Sequence, residues 1–215
     1  LQGISSVLPE LPPISFGVVG EPTGMQPAIA ERGLMVVDVK IRGKAGHAAR
    51  EEGDNAIYKA LKSIEWIKNF RFEKKSELLG EVKMTTTQIN SGTQHNIVPD
   101  LCELVIDIRS NERYSNEEIF ETIKSNCEGE VEARSFRLKP SATPLDHPFI
   151  LRAKELGLTP FGSSTLSDQA LMDFPSVKIG PGSSARSHTA DEYIKRSEIE
   201  EAIERYYLLL NDLSI

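Results

Sequence analysis

The chain has few cysteines, no block of basic residues and no long apolar run. Cys102 and Cys127 do not form a C-x-x-C spacing, so they predict neither a disulfide framework nor a thiolate zinc site and are expected to be buried thiols. The longest apolar run is too short to cross a bilayer, and the first residues lack the basic and apolar regions of a signal peptide. We therefore expect a cytoplasmic protein without a membrane partner.

Positive charge is also in deficit. The chain of 215 residues has 25 lysines and arginines against 32 aspartates and glutamates, a formal net charge of -7. Phosphate binding requires a concentrated basic face, so nucleic acid is not expected as a partner. Hydrophobic residues at 39% and charged residues at 27% are typical of a globular protein, and the length suits one large domain or two small ones.

The middle of the chain alternates between strand and helix patterns. After a first strand, Asp54 is the expected N-cap of a helix whose apolar residues recur every three or four positions up to Ile67. Ser115 and Glu118 form a capping box that opens a second helix. The predicted strands are 34–41, 81–90, 101–109 and 130–138. This βαββαβ order indicates a ferredoxin-like α/β sandwich with both helices on one sheet face.

The residues on either side predict a second unit. A β-favouring run at 15–19 is too short to stand alone, so it must join the unit formed after residue 140 or remain poorly ordered. That later unit is predicted to contain a helix at 147–156, a buried strand at 177–179 and a final helix at 198–213. The sandwich is therefore an insert.

The four histidines do not form a recognisable metal motif. His47, His95, His147 and His188 belong neither to H-E-x-x-H nor to an H-x-D pair. Taken singly, each is best interpreted as a solvated or hydrogen-bonded surface residue.

Five short motifs in order change that interpretation. They are Gly-Glu-Pro-Thr at 20–23, Gly-Lys-Ala-Gly-His-Ala-Ala at 43–49, Asn-Ile-Val-Pro-Asp at 96–100, Asp-Ile-Arg at 107–109, and Ser-His-Thr-Ala-Asp-Glu at 187–192. This succession resembles the co-catalytic zinc aminoacylase and carboxypeptidase family, which includes acetylornithine deacetylase and succinyl-diaminopimelate desuccinylase. Residues 165–172 and 187–194 are most similar to acetylornithine deacetylase and its acetylcitrulline or succinylornithine relatives.

The resemblance implies a zinc-peptidase-type α/β/α catalytic domain interrupted by a lid. Residues 1–29 would be a remnant of the catalytic domain, 30–140 the lid and dimerisation domain, and 141–215 the C-terminal part of the catalytic domain. It also implies a homodimer formed through the lid and two zinc ions in each intact active site. The implied reaction is hydrolysis of a small N-acyl amino acid, as in arginine biosynthesis.

The family's functional residues transfer to individual positions. Glu21 and His188 would be metal ligands, and His47 would stabilise the oxyanion in the active site of the partner subunit. The substrate-binding residues implied are Arg109, Asn96, Gly182, Ser183 and Ser184. Arg109 suits a substrate carboxylate because its guanidinium is a bidentate fork, but a plain ion pair is the alternative.

The departures from the family pattern concern metal and substrate. The family takes His-x-Asp and a Glu-Glu pair from sequence before the Gly-Glu-Pro-Thr motif, whereas here the 20 residues before Glu21 contain one acid, Glu10, and no histidine. We therefore expect the chain alone to bind zinc weakly or not at all and to be inactive. Ala170 stands where the desuccinylases have an arginine, which disfavours diaminopimelate. The alternatives are a dipeptidase or carboxypeptidase of the same family, or a non-catalytic dimerisation or binding module.

Overall fold

The computed structural model describes residues 3–215, which form two compact units. One, here called the sandwich unit, comprises residues 33–76 and 80–139, and the other, the sheet unit, comprises the described residues up to Arg32 together with 77–79 and 140–215. No helix within residues 3–215 has both the length and the apolar character needed to span a bilayer.

The helices and strands are short and numerous. The strands are β1 (Gly17–Val19), β2 (Ala28–Glu31), β3 (Met35–Arg42), β4 (Gly46–His47), β5 (Lys83–Ser91), β6 (Ile97–Val98), β7 (Leu101–Arg109), β8 (Glu130–Ala133), β9 (Ser141–Ala142), β10 (Phe161–Ser163) and β11 (Ser176–Lys178). The α-helices are α1 (Gly3–Val7), α2 (Ala56–Asn69), α3 (Asn116–Asn126), α4 (Pro148–Glu155) and α5 (Arg196–Leu210). Three short 3-10 helices lie at Leu8–Glu10, Asp168–Leu171 and Ser184–Arg186.

The sandwich unit has the predicted ferredoxin-like fold. Its four main strands are all antiparallel and lie in the order β5-β7-β3-β8. Alternate residues of β7 are fully buried, among them Leu104, Ile106 and Ile108, and they form one core with Ile67 of α2 and Ile119 of α3. Since this buried face carries both helices, the prediction that the helices share one sheet face is confirmed.

Of the two predicted N-caps, the one of α3 is confirmed and the one of α2 is wrong. The Ser115–Glu118 capping box is present, with the Glu118 amide 3.0 Å from the Ser115 hydroxyl. The prediction that Asp54 caps α2 is wrong, because the Asn55 side chain accepts the hydrogen bond from the Ile57 amide at 2.9 Å. Asp54 is unavailable because its backbone still forms an antiparallel bridge to Lys44.

The sheet unit is a mixed five-stranded sheet in the order β1-β11-β2-β10, with β9 attached to β2. β1 runs parallel to β11, so the run at 15–19 joins the unit formed after residue 140, as expected. β2 was not predicted, because its four residues are all buried and show no alternation. The strand predicted at 130–138 ends at Ala133, and only an isolated antiparallel bridge between Leu138 and Leu34 continues the pairing beyond it.

Two further expectations concern the cysteines and the final helix. Both Cys102 and Cys127 are buried free thiols, as predicted. Burial raises the pKa of the Cys127 thiol to about 11, although a hydrogen bond with Ser63 lowers it in part. A thiol in this protonated state is a poor metal ligand.

The final helix begins at Arg196 rather than at residue 198 and ends at Leu210.

Candidate functional site

Two of the sequence motifs meet at one end of the sheet in the sheet unit. β1 and β11 are adjacent and parallel, with Gly17 paired to Ser176 and Val19 paired to Lys178. Glu21 follows the carboxyl end of β1, and the loop from Gly180 follows the carboxyl end of β11. The carboxyl ends of adjacent parallel strands lie side by side, which is where α/β sheets bind ligands.

Backbone contacts hold the Glu21 turn against the Gly180 loop. The amides of Thr23 and Met25 donate to the Gly180 carbonyl at 3.1 and 2.9 Å, and the Gly24 amide donates to the Gly182 carbonyl at 2.7 Å. Gly180 is packed so closely that a Cβ atom there would lie 2.6 Å from the carbonyl oxygen of Glu21. Glycine is therefore required at this position for the two segments to approach each other.

A cavity of about 530 Å³ opens between these segments. Its lining combines the Glu21 turn, the Gly180 loop and the residues on both sides of His188: Gly20, Glu21, Pro22, Pro181, Gly182, Ser183, Arg186, Ser187, Glu192, Tyr193 and Ile194. Of the site residues predicted in this unit, Glu21, Gly182 and Ser183 line the cavity. His188 and Ser184 do not line it themselves, although their neighbours do.

His188 has an unusual backbone conformation. Its φ angle is +60°, in the left-handed region that residues other than glycine rarely adopt. Its amide donates to the Glu192 carboxylate at 2.9 Å, and its side chain is exposed. The Thr189 hydroxyl donates to the Arg186 carbonyl at 2.9 Å, which closes the turn around His188.

An ion pair between Arg186 and Glu198 ties this loop to α5, and sequence reasoning missed it. The Arg186 guanidinium donates to both carboxylate oxygens of Glu198 and lies 4.8 Å from the ring centroid of Tyr193. The hydrogen bonds from Arg186 and from the Lys195 amide lower the pKa of Glu198 to about 2. Neither residue belongs to a recognisable motif, so no local pattern predicts the pair.

In the sandwich unit, the backbone segments that contain His47 and Asn96 are neighbours. β4 and β6 form a two-stranded ladder in which His47 is opposite Ile97, and the Ala48 amide donates to the Asn96 carbonyl at 3.0 Å. The Ala49 amide donates to Nδ1 of His47 at 3.1 Å. Because Nδ1 accepts this bond, the neutral ring carries its proton on Nε2, and both the His47 and Asn96 side chains are exposed.

Arg109 lies at the opposite end of the sandwich unit. It is the last residue of the nine-residue strand β7, whereas Asn96 and His47 lie beyond its first residue, Leu101. A strand of this length spans roughly 27 Å at about 3.4 Å per residue. The Arg109 guanidinium forks onto the Asp107 carboxylate, with N–O distances of 2.8 and 3.1 Å. In this structure Arg109 therefore forms an ion pair, which is the alternative to its predicted role of binding a substrate carboxylate.

Within residues 3–215 the structure contains no group of three His, Cys, Asp or Glu side chains that could hold a metal ion. Glu21 and His188 are chemically suitable zinc ligands, an oxygen and a nitrogen donor. A structural zinc site needs four protein ligands and a catalytic site about three. Glu21 and His188, the two predicted ligands, are therefore fewer than either kind of site needs.

Comparison with known proteins shows which family the chain resembles. Residues 29–134 match the peptidase dimerisation domain of the M20 family. Acetylornithine deacetylase from Proteus mirabilis (strain HI4320) is 28% identical over 206 residues, which cover 86% of this chain and 53% of that protein. The chain therefore resembles the M20 family, with the matched domain at residues 29–134. It spans about half the length of that curated relative.

Solved structures agree with this fold. Aminopeptidase PepT from Bacillus cereus ATCC 10987 is 22% identical, with a TM-score of 0.74 over 91% of this chain and 56% of that one. A dinuclear metal-binding peptidase of the M20 family from Bacillus subtilis is 17% identical, with a TM-score of 0.62 over 95% of this chain and 59% of that one. At these identities the likeness establishes the fold alone.

Proposed function

We propose that the protein acts in zinc-dependent hydrolysis of the amide bond of an N-acyl amino acid, with acetylornithine, acetylcitrulline or succinylornithine as candidate substrates. The observation that carries the proposal is the convergence of Glu21, the Gly180 loop and the neighbours of His188 on one cavity. A carboxylate, an imidazole and backbone amides are the groups that such a site needs.

Each part of the cavity has a separate task in this proposal. Glu21 and His188 would hold metal, with further ligands supplied by residues outside the described set. A bound zinc ion polarises a scissile carbonyl and makes water a stronger acid. The amides of Gly182 and Ser183 would bind the substrate carboxylate, since runs of backbone N–H groups bind anions. The buried Ala170 offers no cation for a second carboxylate, which disfavours diaminopimelate.

His47 would act in the active site of a second copy. It lies beyond one end of β7 and Arg109 lies at the other end, so one sandwich unit cannot present both side chains to the same small substrate. The Nε2–H of His47 is a donor suited to an oxyanion, and Asn96 would supply a helper amide. Arg109 would exchange Asp107 for a substrate carboxylate of the same geometry.

The edge of the sandwich sheet at β5 supports a homodimer. β5 has nine residues with one charge, Lys83, whereas the opposite edge strand β8 has four residues, of which two are glutamates. Long uncharged edges are templates for pairing, and short charged ones resist it. Ile89 of β5 and Leu61 and Tyr58 of α2 are large exposed apolar side chains, and α2 packs over β5. We propose that two copies meet along β5 and α2.

The test begins with the gene upstream of Leu1. A product that carries His-x-Asp and Glu-Glu elements there should bind two zinc ions and should release free amino acid from at least one of acetylornithine, acetylcitrulline and succinylornithine. A dipeptide assayed in parallel separates the deacylase from a dipeptidase. If such a product bound zinc and left all three acyl amino acids intact, the proposed substrate class would be wrong.

A non-catalytic dimerisation or binding module is the second candidate. It is favoured by the absence of a three-ligand metal group in residues 3–215 and by the family match to a dimerisation domain. An open reading frame that starts at Leu1 would support this candidate. Tight stoichiometric zinc in the 215-residue chain would count against it.

A further inference from the structure

The turn that contains His188 combines a strained backbone with a single charged acceptor. His188 adopts a φ of +60°, and the same residue donates its amide proton to Glu192 at 2.9 Å. A residue with a Cβ atom is disfavoured in this region and persists there when its surroundings hold it. Strain of this kind often occurs at functional sites.

Contacts with neighbouring residues fix both ends of the turn. The hydrogen bond from the His188 amide to Glu192 is the contact that holds His188 itself. At the N-terminal end, Arg186 is anchored by Glu198 of α5, and its carbonyl accepts from Thr189. At the C-terminal end, the Tyr193 ring lies against the Arg186 guanidinium. Between these anchors, the Glu192 carboxylate is the group that receives the His188 amide. Hydrogen bonds from an amide to a carboxylate are among the stronger ones in proteins.

We infer that Glu192 is a positioning residue, which holds His188 in the left-handed conformation and so fixes the direction in which its imidazole is offered to metal. The inference rests on the proposed role of His188 as a metal ligand. Ligands that are fixed in advance bind metal more tightly, and groups that orient them affect affinity by about tenfold to a hundredfold. Glu192 also lines the cavity that contains Glu21, so its role as a direct ligand is the competing assignment.

Glutamine at position 192 separates these assignments. Glu192→Gln keeps an oxygen that can accept the His188 amide but removes the negative charge, whereas Glu192→Ala removes both. If Glu192 positions His188 through the hydrogen bond, Glu192→Ala should lose amide protection and zinc affinity at His188. Glu192→Gln should largely keep both. If Glu192 binds metal directly, both variants should lose affinity together, and the inference would be wrong.

The experiment follows His188 by NMR in the 215-residue chain. We expect Glu192→Ala to speed hydrogen exchange of the His188 amide by about tenfold or more and to change its HN–Hα coupling, while Glu192→Gln stays close to wild type. Unchanged exchange and coupling in Glu192→Ala would overturn the inference.

A second measurement tests the ligand role separately. Zn²⁺ is titrated into a catalytically complete product of the gene, which carries the further metal ligands, while the imidazole resonances of His188 are observed. In wild type they should shift, and Glu192→Ala should require about tenfold more zinc for the same shift, with recovery in Glu192→Gln. If the amide measurements match expectation but zinc leaves His188 unmoved in wild type, the ligand assignment fails and the metal-presenting part of the inference is overturned with it.

A His188→Gly background gives the matched control. Glycine adopts positive φ without strain, so Glu192→Ala should have a smaller effect on amide exchange at position 188 when that residue is glycine. An equal effect in both backgrounds would show that Glu192 does not act by holding a strained histidine.

Discussion

Lys178 and Glu31 form an ion pair of 2.7 Å in which the side chains are 5% and 0% exposed. The Lys178 ammonium also donates to the Ser163 and Thr165 hydroxyls, and the Glu31 carboxylate accepts from the amide and hydroxyl of Ser167. The pair thus connects three segments of the sheet unit: β2, β11, and the end of β10 with the residues that follow it. A buried pair of this kind is stable only while every charge keeps its partners.

Removal of one partner should therefore destabilise the sheet unit strongly. We expect Lys178→Met to lower the free energy of unfolding by about 3–5 kcal/mol, because it leaves the Glu31 carboxylate buried without its counter-charge. The double variant Lys178→Met with Glu31→Leu should lose less than Lys178→Met alone. Urea unfolding followed by far-UV circular dichroism measures both.

The exposed pair Arg42–Glu130 supplies the control for that measurement. Its side chains are 65% and 64% exposed, so Arg42→Met should cost less than about 1 kcal/mol. If Arg42→Met and Lys178→Met were equally destabilising, burial would not be what makes the Lys178–Glu31 pair important.

His147 predicts a pH dependence of stability. It caps α4 by accepting the Phe149 amide at Nδ1, and its ring stacks on Phe16 with centroids 4.4 Å apart. Burial lowers its pKa from the usual 6.5, and the nearby Asp146 opposes this shift. The folded chain then binds fewer protons than the unfolded chain just below pH 6.5. Stability should fall as the pH is lowered from about 6.5 to the folded pKa and should be unaffected by His147 above that window.

His147→Asn provides the comparison for this pH effect. Asparagine is a good N-cap and does not titrate, so it should keep α4 capped without the pH dependence. Thermal unfolding of both proteins between pH 5 and pH 8 measures the difference in slope. Parallel curves for the two proteins across this range would exclude His147 as the source.

The sequence predicted the sandwich unit better than the sheet unit for a physical reason. Strand alternation in Leu101–Arg109 and the Ser115–Glu118 capping box are local signals, and both agree with the structure. The buried strand β2 has no alternation because both of its faces are covered. The Lys178–Glu31 pair joins residues 147 positions apart, and no local pattern predicts such a contact.

The candidate site shows the same division. Glu21, His188 and His47 can be proposed from the sequence because short motifs surround them. In the sequence Glu192 is only the last residue of a motif. Its hydrogen bond with the His188 amide depends on a backbone conformation that a sequence does not display. Arg109 and His47 lie at opposite ends of β7, and only the strand register reveals this separation.

Gly180→Ala should damage the site by displacing Glu21. The new Cβ would lie 2.6 Å from the Glu21 carbonyl oxygen, well inside normal contact, so the two segments must separate. We expect a loss of about 1–3 kcal/mol in the free energy of unfolding, as for overpacked positions. Gly20→Ala is the matched control, because a Cβ at Gly20 meets nothing within 4 Å, and it should be nearly neutral. Similar losses in the two variants would contradict the packing argument.

Ile89→Lys should weaken self-association along β5. Ile89 is 55% exposed and is paired with the buried Leu104, so it points to the same face as α2. In a two-fold dimer the substitution is present in both copies. A loss of about 1.5 kcal/mol of association free energy per copy therefore gives about 3 kcal/mol, or roughly a hundredfold rise in Kd. Leu208→Lys, on the exposed side of α5 in the other unit, should leave Kd unchanged. Sedimentation over a range of concentrations measures both, and equal Kd values for Ile89→Lys and wild type would exclude this edge.

The proposed role of His47 across two subunits can be tested by mixing inactive variants of a catalytically complete product of the gene. His47→Ala should lower kcat by roughly a hundredfold or more, the usual cost of an oxyanion donor, and His188→Ala should abolish activity by removing a metal ligand. A mixed dimer would contain one site with His188 from one subunit and His47 from the other. Random exchange makes half of the dimers mixed, each with one working site of two, so activity should recover to about a quarter of wild type. If His47 served the site of its own subunit, each mixed dimer would contain one site lacking His47 and one lacking His188, and mixing would restore nothing.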